Sequence, residues 1–187
     1  RKRLPCPFIP HETTPIAGKL NRLLPLRIEI VKEKYLLKLF KCLLSSYRYL
    51  GFTGTVGENL KYLAFDEKDN PLACLLFGSA AWKTLARDNS IGWNEATRKA
   101  NLYLITNNMR FLILPWVKVP HLASHILGKV ARRISSDWIE RYHHSIYMLE
   151  TFVEKKRFRG TSYQSPTGSM LVRVRGAAVM IATEASR

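Results

Sequence analysis

Asn107–Leu127 reads NNMRFLILPWVKVPHLASHIL, and the way this stretch folds decides the rest. Phe111, Leu112, Ile113 and Leu114 form a short apolar run with turn chemistry on both sides, the pattern of a buried strand. Pro115 ends the run, because proline has no N–H to give to a ladder. Pro120 sits where a first-turn proline opens a helix, predicted over His121 to Val130. That helix carries Leu122, His125, Ile126 and Lys129 on one side, and Ala123, Leu127 and Val130 on another. A strand, a loop of six residues and a helix N-terminus can turn backbone amides toward an anion. The same arrangement is also an ordinary way to pack a helix on a sheet.

Upstream of this centre, Leu60 to Phe65 and Leu72 to Phe77 read as strands joined by a hairpin turn over Asp66 to Asn70. Residues 27–49 read as an amphipathic helix. Ile28, Val31, Tyr35, Leu36, Phe40, Leu43 and Leu44 recur at helical spacing, with Lys32, Lys34, Lys38 and Lys41 on the solvated remainder. Ser79 to Ala86 is helix-compatible, Arg87 to Ser90 reads as a polar loop, and Asn94 caps a helix running to about Leu104. Downstream, residues 135–137 read as a turn or a new helix cap. Ser145 to Val153 is a strand, and Arg157 to Tyr163 a short turn or helix. The order is helix, two antiparallel strands, helix, strand, helix, strand. It predicts an α/β fold with a mixed sheet and one parallel crossover through residues 121–134. Residues 1–25, rich in proline and basic groups, are expected to be an extended arm. Residues 26–165 form a single domain and 166–187 a separate tail.

Composition narrows the class. At 187 residues with 47% hydrophobic side chains, the chain can bury a proper core and is not disordered. It begins at Arg1 without methionine, which marks it as a fragment or processed product. No apolar run reaches the ~18 residues of a membrane span, and the first 25 residues lack a signal-peptide core. Cys6, Cys42 and Cys74 form no metal-binding or disulfide pattern, so a cytoplasmic setting is expected. The net charge is +16. Residues 1–50 contribute +8, 51–100 none, 101–150 +3 and 151–187 +5. An excess of this size favours nucleic acid as a partner, although charge by itself gives only non-specific binding and also suits a merely soluble basic protein.

The candidates for chemistry are few. His121 and His125 have metal-ligand spacing, but without the glutamate of HExxH they default to packed or surface histidines, and no metal is expected. Lys83, Arg87 and Asp88 lie near Trp82 and Trp93, either as a polar site able to stack a base or as a salt bridge over core indoles. Arg110 either holds phosphate or pairs with Asp88 or Glu150. The nucleic-acid contacts expected are Lys83, Arg87, Arg110, Lys118, Arg132 and Arg133. Acid–base candidates are Asp88, His125, Glu150 and Tyr163, with no spacing that singles one out.

Five segments carry a resemblance. They are YRYLGF (47–52), ACLLFGSAAWKTLARDNSIGW (73–93), NLYLITNNMRFLILPWVKVPHLASH (101–125), SDW (136–138) and LETFVEKKRFRGTSY (149–163). Together they resemble a bacterial domain family that includes the A protein of the Druantia anti-phage system and whose members also travel with transposons. Arg48 departs from it, the family often having histidine there. The resemblance implies a role in defence or mobile elements, beside other proteins of such systems. The element order also resembles the acetyltransferase (GNAT-like) three-layer fold, which binds acetyl-CoA between its fourth and fifth strands. PWVKVPHLASHIL sits where that fold has its glycine-bearing pyrophosphate loop, at Lys118, His121 and Ala123. RFRGTSY resembles the tyrosine-bearing end of that fold, with Tyr163 as general acid. Because Val119, Pro120 and His121 replace what glycine would provide, no cofactor is expected.

After Tyr163 the family pattern would continue through an Ala-Asn-Trp segment and a Gly/Arg-rich strand, whereas this chain reads SPTGSMLVRVRGAAVMIATEASR. Back-translating Ser165 to Gly168 and restoring one G encodes Ser-Ala-Asn-Trp, and Arg175 to Glu184 in the same shifted frame encodes a Gly/Arg-rich run. The expectation is a single-base deletion near Pro166, an out-of-frame tail, and a fold truncated at its C-terminus with an open sheet edge. Sequencing the gene tests it: a reading with no such frame refutes it.

Overall fold

A computed structural model describes residues 8–47, 54–154, 169–174 and 177–184, those beyond Thr151 as backbone only. The elements are β1 (Ile16–Ala17), β2 (Arg27–Ile30), α1 (Lys34–Tyr47), β3 (Asn59–Phe65), β4 (Pro71–Ser79), α2 (Leu85–Ile91), α3 (Glu95–Asn101), β5 (Ile105–Ile113), β6 (Val117–Lys118), α4 (Leu122–Ala131), α5 (Ile134–Tyr142), β7 (Met148–Glu154), β8 (Ser169–Val174) and β9 (Ala177–Glu184). Seven strands form a mixed sheet in the order β2-β3-β4-β5-β7-β9-β8, and β1 pairs with β6 in a small parallel ladder. The chain divides into two compact units, Arg1–Leu76 with Arg110–Leu127, and Phe77–Met109 with Gly128–Arg187.

In the first unit, the turn between β3 and β4 forms as its residues dictate. The Asp66 carboxylate accepts from the backbone N–H groups of Lys68 and Asn70, both at 2.9 Å, while Asp69 takes a left-handed φ of 64°. β4 then buries Pro71 through Gly78 without interruption, which is how a central strand reads when both faces are covered. The helix predicted from residue 27 begins only at Lys34. Ile28 and Ile30 alternate with Arg27 and Glu29, and this period-2 segment pairs antiparallel with Tyr62–Phe65 as β2. Backbone pairing with β3 is worth more there than one further turn of helix. On α1, Leu39, Phe40, Cys42, Leu43 and Leu44 are buried.

The described part of the expected arm, from Phe8, makes specific contacts. His11 Nε2 lies 3.0 Å from the Tyr47 hydroxyl, its ring stacks on Trp116 at 5.6 Å, and Ile16 N–H donates to the Trp116 carbonyl at 2.9 Å. Ile9 N–H donates to Cys42 Sγ at 3.3 Å. Residues 8–15 form no helix or strand, Ile16–Ala17 form β1, and the segment still makes these contacts.

The second unit holds the parallel pairing of the sheet. β5 pairs with β7 in parallel, Ile105 with Met148 through Asn108 with Thr151, and α4 and α5 lie between them in sequence. Asn94 caps α3, its side-chain oxygen accepting from Thr97 N–H at 2.8 Å. The segment Arg87–Ser90, expected as a loop, belongs to α2, which Gly92 terminates at φ 75° with its N–H on the Asp88 carbonyl. Ile134, Trp138, Ile146 and Leu149 are buried. The expected loss of the final strands is likewise corrected. β9 runs parallel to β7 along Met148–Glu154, and β8 returns antiparallel to β9. Val172, Val174, Val179 and Ile181 are strand formers, and strand formation follows residue type whatever frame encodes it.

Candidate functional site

The second unit brings two of the predicted acid–base residues into one buried cluster. α2 supplies Arg87 and its neighbour Asp88, α3 supplies Arg98, and β7 supplies Glu150. Arg87 is 0% exposed and Glu150 1%. Arg87 Nε donates to Asp88 Oδ1 at 2.9 Å, and its Nη1 to Glu150 Oε1 at 3.2 Å and to the Ala81 carbonyl at 2.8 Å. Its Nη2 reaches the Trp82 carbonyl at 3.4 Å. Arg98 Nη1 donates to the other Asp88 oxygen at 2.8 Å, and the Arg98 guanidinium lies 5.7 Å from the Trp82 ring centre. Two guanidinium groups and two carboxylates thus share one desolvated volume, an arrangement held together by mutual pairing because each charge alone would be costly there.

The cluster is not saturated. Glu150 Oε2, Asn107 Oδ1 and Arg98 Nε are buried without a hydrogen-bond partner among the described residues. Asn107 and Glu150 are register partners on β5 and β7, so their side chains leave the sheet on one face. On the neighbouring register Asn108 Nδ2 donates to Thr151 Oγ1 at 3.3 Å. Burial raises the Glu150 carboxyl above its ordinary value of 4.5; Arg87 opposes this, by charge and hydrogen bond, and the Asp88 charge adds to it. Because the folded-state value is raised, the stability that protonated Glu150 contributes is present below the ordinary value and is lost as pH rises through the raised one. Whatever offset the altered Arg87 pairing gives it, Glu150→Gln should therefore move upward in melting temperature relative to wild type as pH is raised from 4 toward 8, because the amide has no proton to lose. Melting curves whose separation is constant across that range would contradict it.

The other expected positions are not among the residues of this cluster. Lys83, Lys118 and Arg132 are exposed. Arg110 is half-buried, and Arg133 pairs with Asp137 on its own helix at 2.7 Å. Arg87 was expected to meet nucleic acid; it is enclosed and fully engaged, and offers no guanidinium to a surface polyanion. His125 is half-buried on α4, and His121 precedes that helix with φ 64°. No three His, Cys, Asp or Glu residues come together as metal ligands among the described residues. Tyr163 lies outside the described residues. Trp82 and Trp93 are not core indoles: Trp82 is 54% exposed and Trp93 intermediate.

The loop proposed for pyrophosphate does not fit that group. Pro120 has no N–H, and the Leu122 amide is spent on the Val119 carbonyl at 3.3 Å. The sequence also left Arg98 unremarked. A single arginine on a seven-residue helix has no local signature, and only its contact with Asp88 gives it a role. The first unit holds a cavity of about 320 Å³ lined by Glu12, Arg22, Asp66, Glu67 and Lys68 among others, whose mixed charge selects no ligand class.

These features define a mixed α/β protein with a buried arginine–carboxylate cluster. The family model for Druantia protein DruA matches residues 8–173, and the chain belongs to that family. No curated protein and no solved structure matches the chain. No helix among the described residues is long and apolar enough to cross a membrane.

Proposed function

We propose that the chain is a cytoplasmic component of Druantia anti-phage defence, or of a related transposon, that contacts nucleic acid through exposed basic side chains and acts beside other proteins of its system. The observation that carries the reading is the family match over residues 8–173. The charge of +16 supports the nucleic-acid part. Of the residues first considered for contact, Lys83, Lys118 and Arg132 keep their ammonium or guanidinium groups in solvent. Phosphate contacts of this kind are read without sequence and weaken with salt. Titration of duplex and single-stranded DNA from 50 to 200 mM salt should show affinity falling at least tenfold. Affinity independent of salt removes the electrostatic reading.

A second reading is an acyl-CoA-dependent transferase. It is favoured by one feature, the parallel pairing of β5 and β7, the fourth and fifth strands across the sheet. The spent and missing amides at residues 120–122 oppose it. Calorimetry with millimolar acetyl-CoA discriminates: heat of binding would restore it.

A further inference from the structure

Helix α1 carries Lys34, Lys38 and Lys41 at i, i+4 and i+7, and all three are exposed. Two turns of helix at about 1.5 Å per residue lay them along a line of roughly 10 Å. The sequence of α1, KYLLKLFKCLLSSY, contains no acidic residue. None of the three lysines forms an ion pair among the described residues. Exposed lysines on a helix are ordinarily interleaved with glutamates three or four positions away, which stabilises the helix and cancels the field. Here the field is left standing, along one edge of a helix whose opposite side is fixed by burial of Leu39, Phe40, Leu43 and Leu44.

We propose that the Lys34–Lys38–Lys41 stripe is a contact surface for the phosphate backbone of duplex DNA. This rests on the nucleic-acid reading above and names a surface for it that the earlier candidates did not include. A linear array of point charges, with no arginine fork to read base edges, suits phosphates. Duplex DNA presents one negative charge per about 1.7 Å of axis, so a 10 Å stripe faces several. An anionic membrane fits less well, because a helix that lies in a bilayer surface must offer its apolar side to lipid. The apolar side of α1 is already committed to the core.

The test compares the full chain with K34Q/K38Q/K41Q and with K83Q/K118Q/R132Q on a duplex, over 50–200 mM salt. All six positions are exposed, and melting temperatures of both variants are expected to stay near wild type. The stripe variant should lose two to three units of the slope of log affinity against log salt, and about 100-fold in affinity near 100 mM. Equal slopes for wild type and the stripe variant overturn the surface while leaving the nucleic-acid reading intact. No binding by wild type overturns both. Tighter binding to phosphatidylserine vesicles than to duplex, lost in the stripe variant, overturns the choice of partner, and so does a stripe-dependent preference for single strands.

Discussion

Arg87→Met should lower stability by about 3–5 kcal/mol, the cost of leaving buried carboxylates without their partner. For a chain of this length that is a fall in melting temperature of roughly 10 °C. The reason is geometric. Arg87 supplies hydrogen bonds to Asp88, Glu150 and two backbone carbonyls, and it is 0% exposed, so no water replaces it. The double substitution R87M/E150M removes both a cation and the carboxylate most dependent on it. It should recover more than half of the loss, since matched apolar groups often substitute for a buried pair at little cost. Thermal melts of wild type, the single variant and the double variant check this. An R87M protein melting within 2–3 °C of wild type would show that the guanidinium is not what compensates Glu150. The same variant also discriminates roles. If Arg87 met phosphate, its loss would reduce the salt slope by about one and leave melting unchanged.

Trp138→Ala is the second large effect. Trp138 is 1% exposed on α5 and its ring centre lies 5.2 Å from that of Tyr142. Truncation leaves a cavity of indole size and should cost about 3–5 kcal/mol. Trp82→Ala removes a ring that is 54% exposed and faces the Arg98 guanidinium, an interaction of about 0.5–1 kcal/mol. Denaturant unfolding should therefore move its midpoint far for Trp138 and little for Trp82, with the slope m unchanged in both. Comparable shifts for the two tryptophans would mean that their burial has been wrongly assigned.

What the residues disclosed by themselves was mostly local. The Asp66–Asn70 turn and the Asn94 cap rest on chemistry within a few positions, and each stands in the structure; the strand before Pro115 also forms, but it runs Ile105–Ile113 and Phe111–Ile113 are half-buried, not buried. β2 was not legible because Ile28 stands at helical spacing from Val31 as well as at a strand's spacing from Ile30. Only the partner strand, more than 30 residues away, decides between them. Arg87-Asp88-Asn89-Ser90 looks like a solvated loop for the same reason. Nothing near it in sequence announces that Glu150 and Arg98 will meet the first two side chains inside the protein. The site was therefore half visible: Asp88 and Glu150 were candidates, but as unrelated carboxylates. Their relation depends on a crossover that places β7 beside β5, and on a helix that pattern alone had dissolved.

The two-residue ladder between β1 and β6 has a consequence for synthesis. Ile16 pairs with Val117, and His11 rests on Trp116, so this segment finishes its contacts with residues roughly a hundred positions later. At about 5–20 residues per second, the segment leaves the ribosome some 5–20 s before its partners exist. During that interval Phe8, Ile9 and Ile16 are available to chaperones. The prolines among them, Pro10 and Pro15, then keep the waiting segment from extending as a free strand that another nascent chain could join.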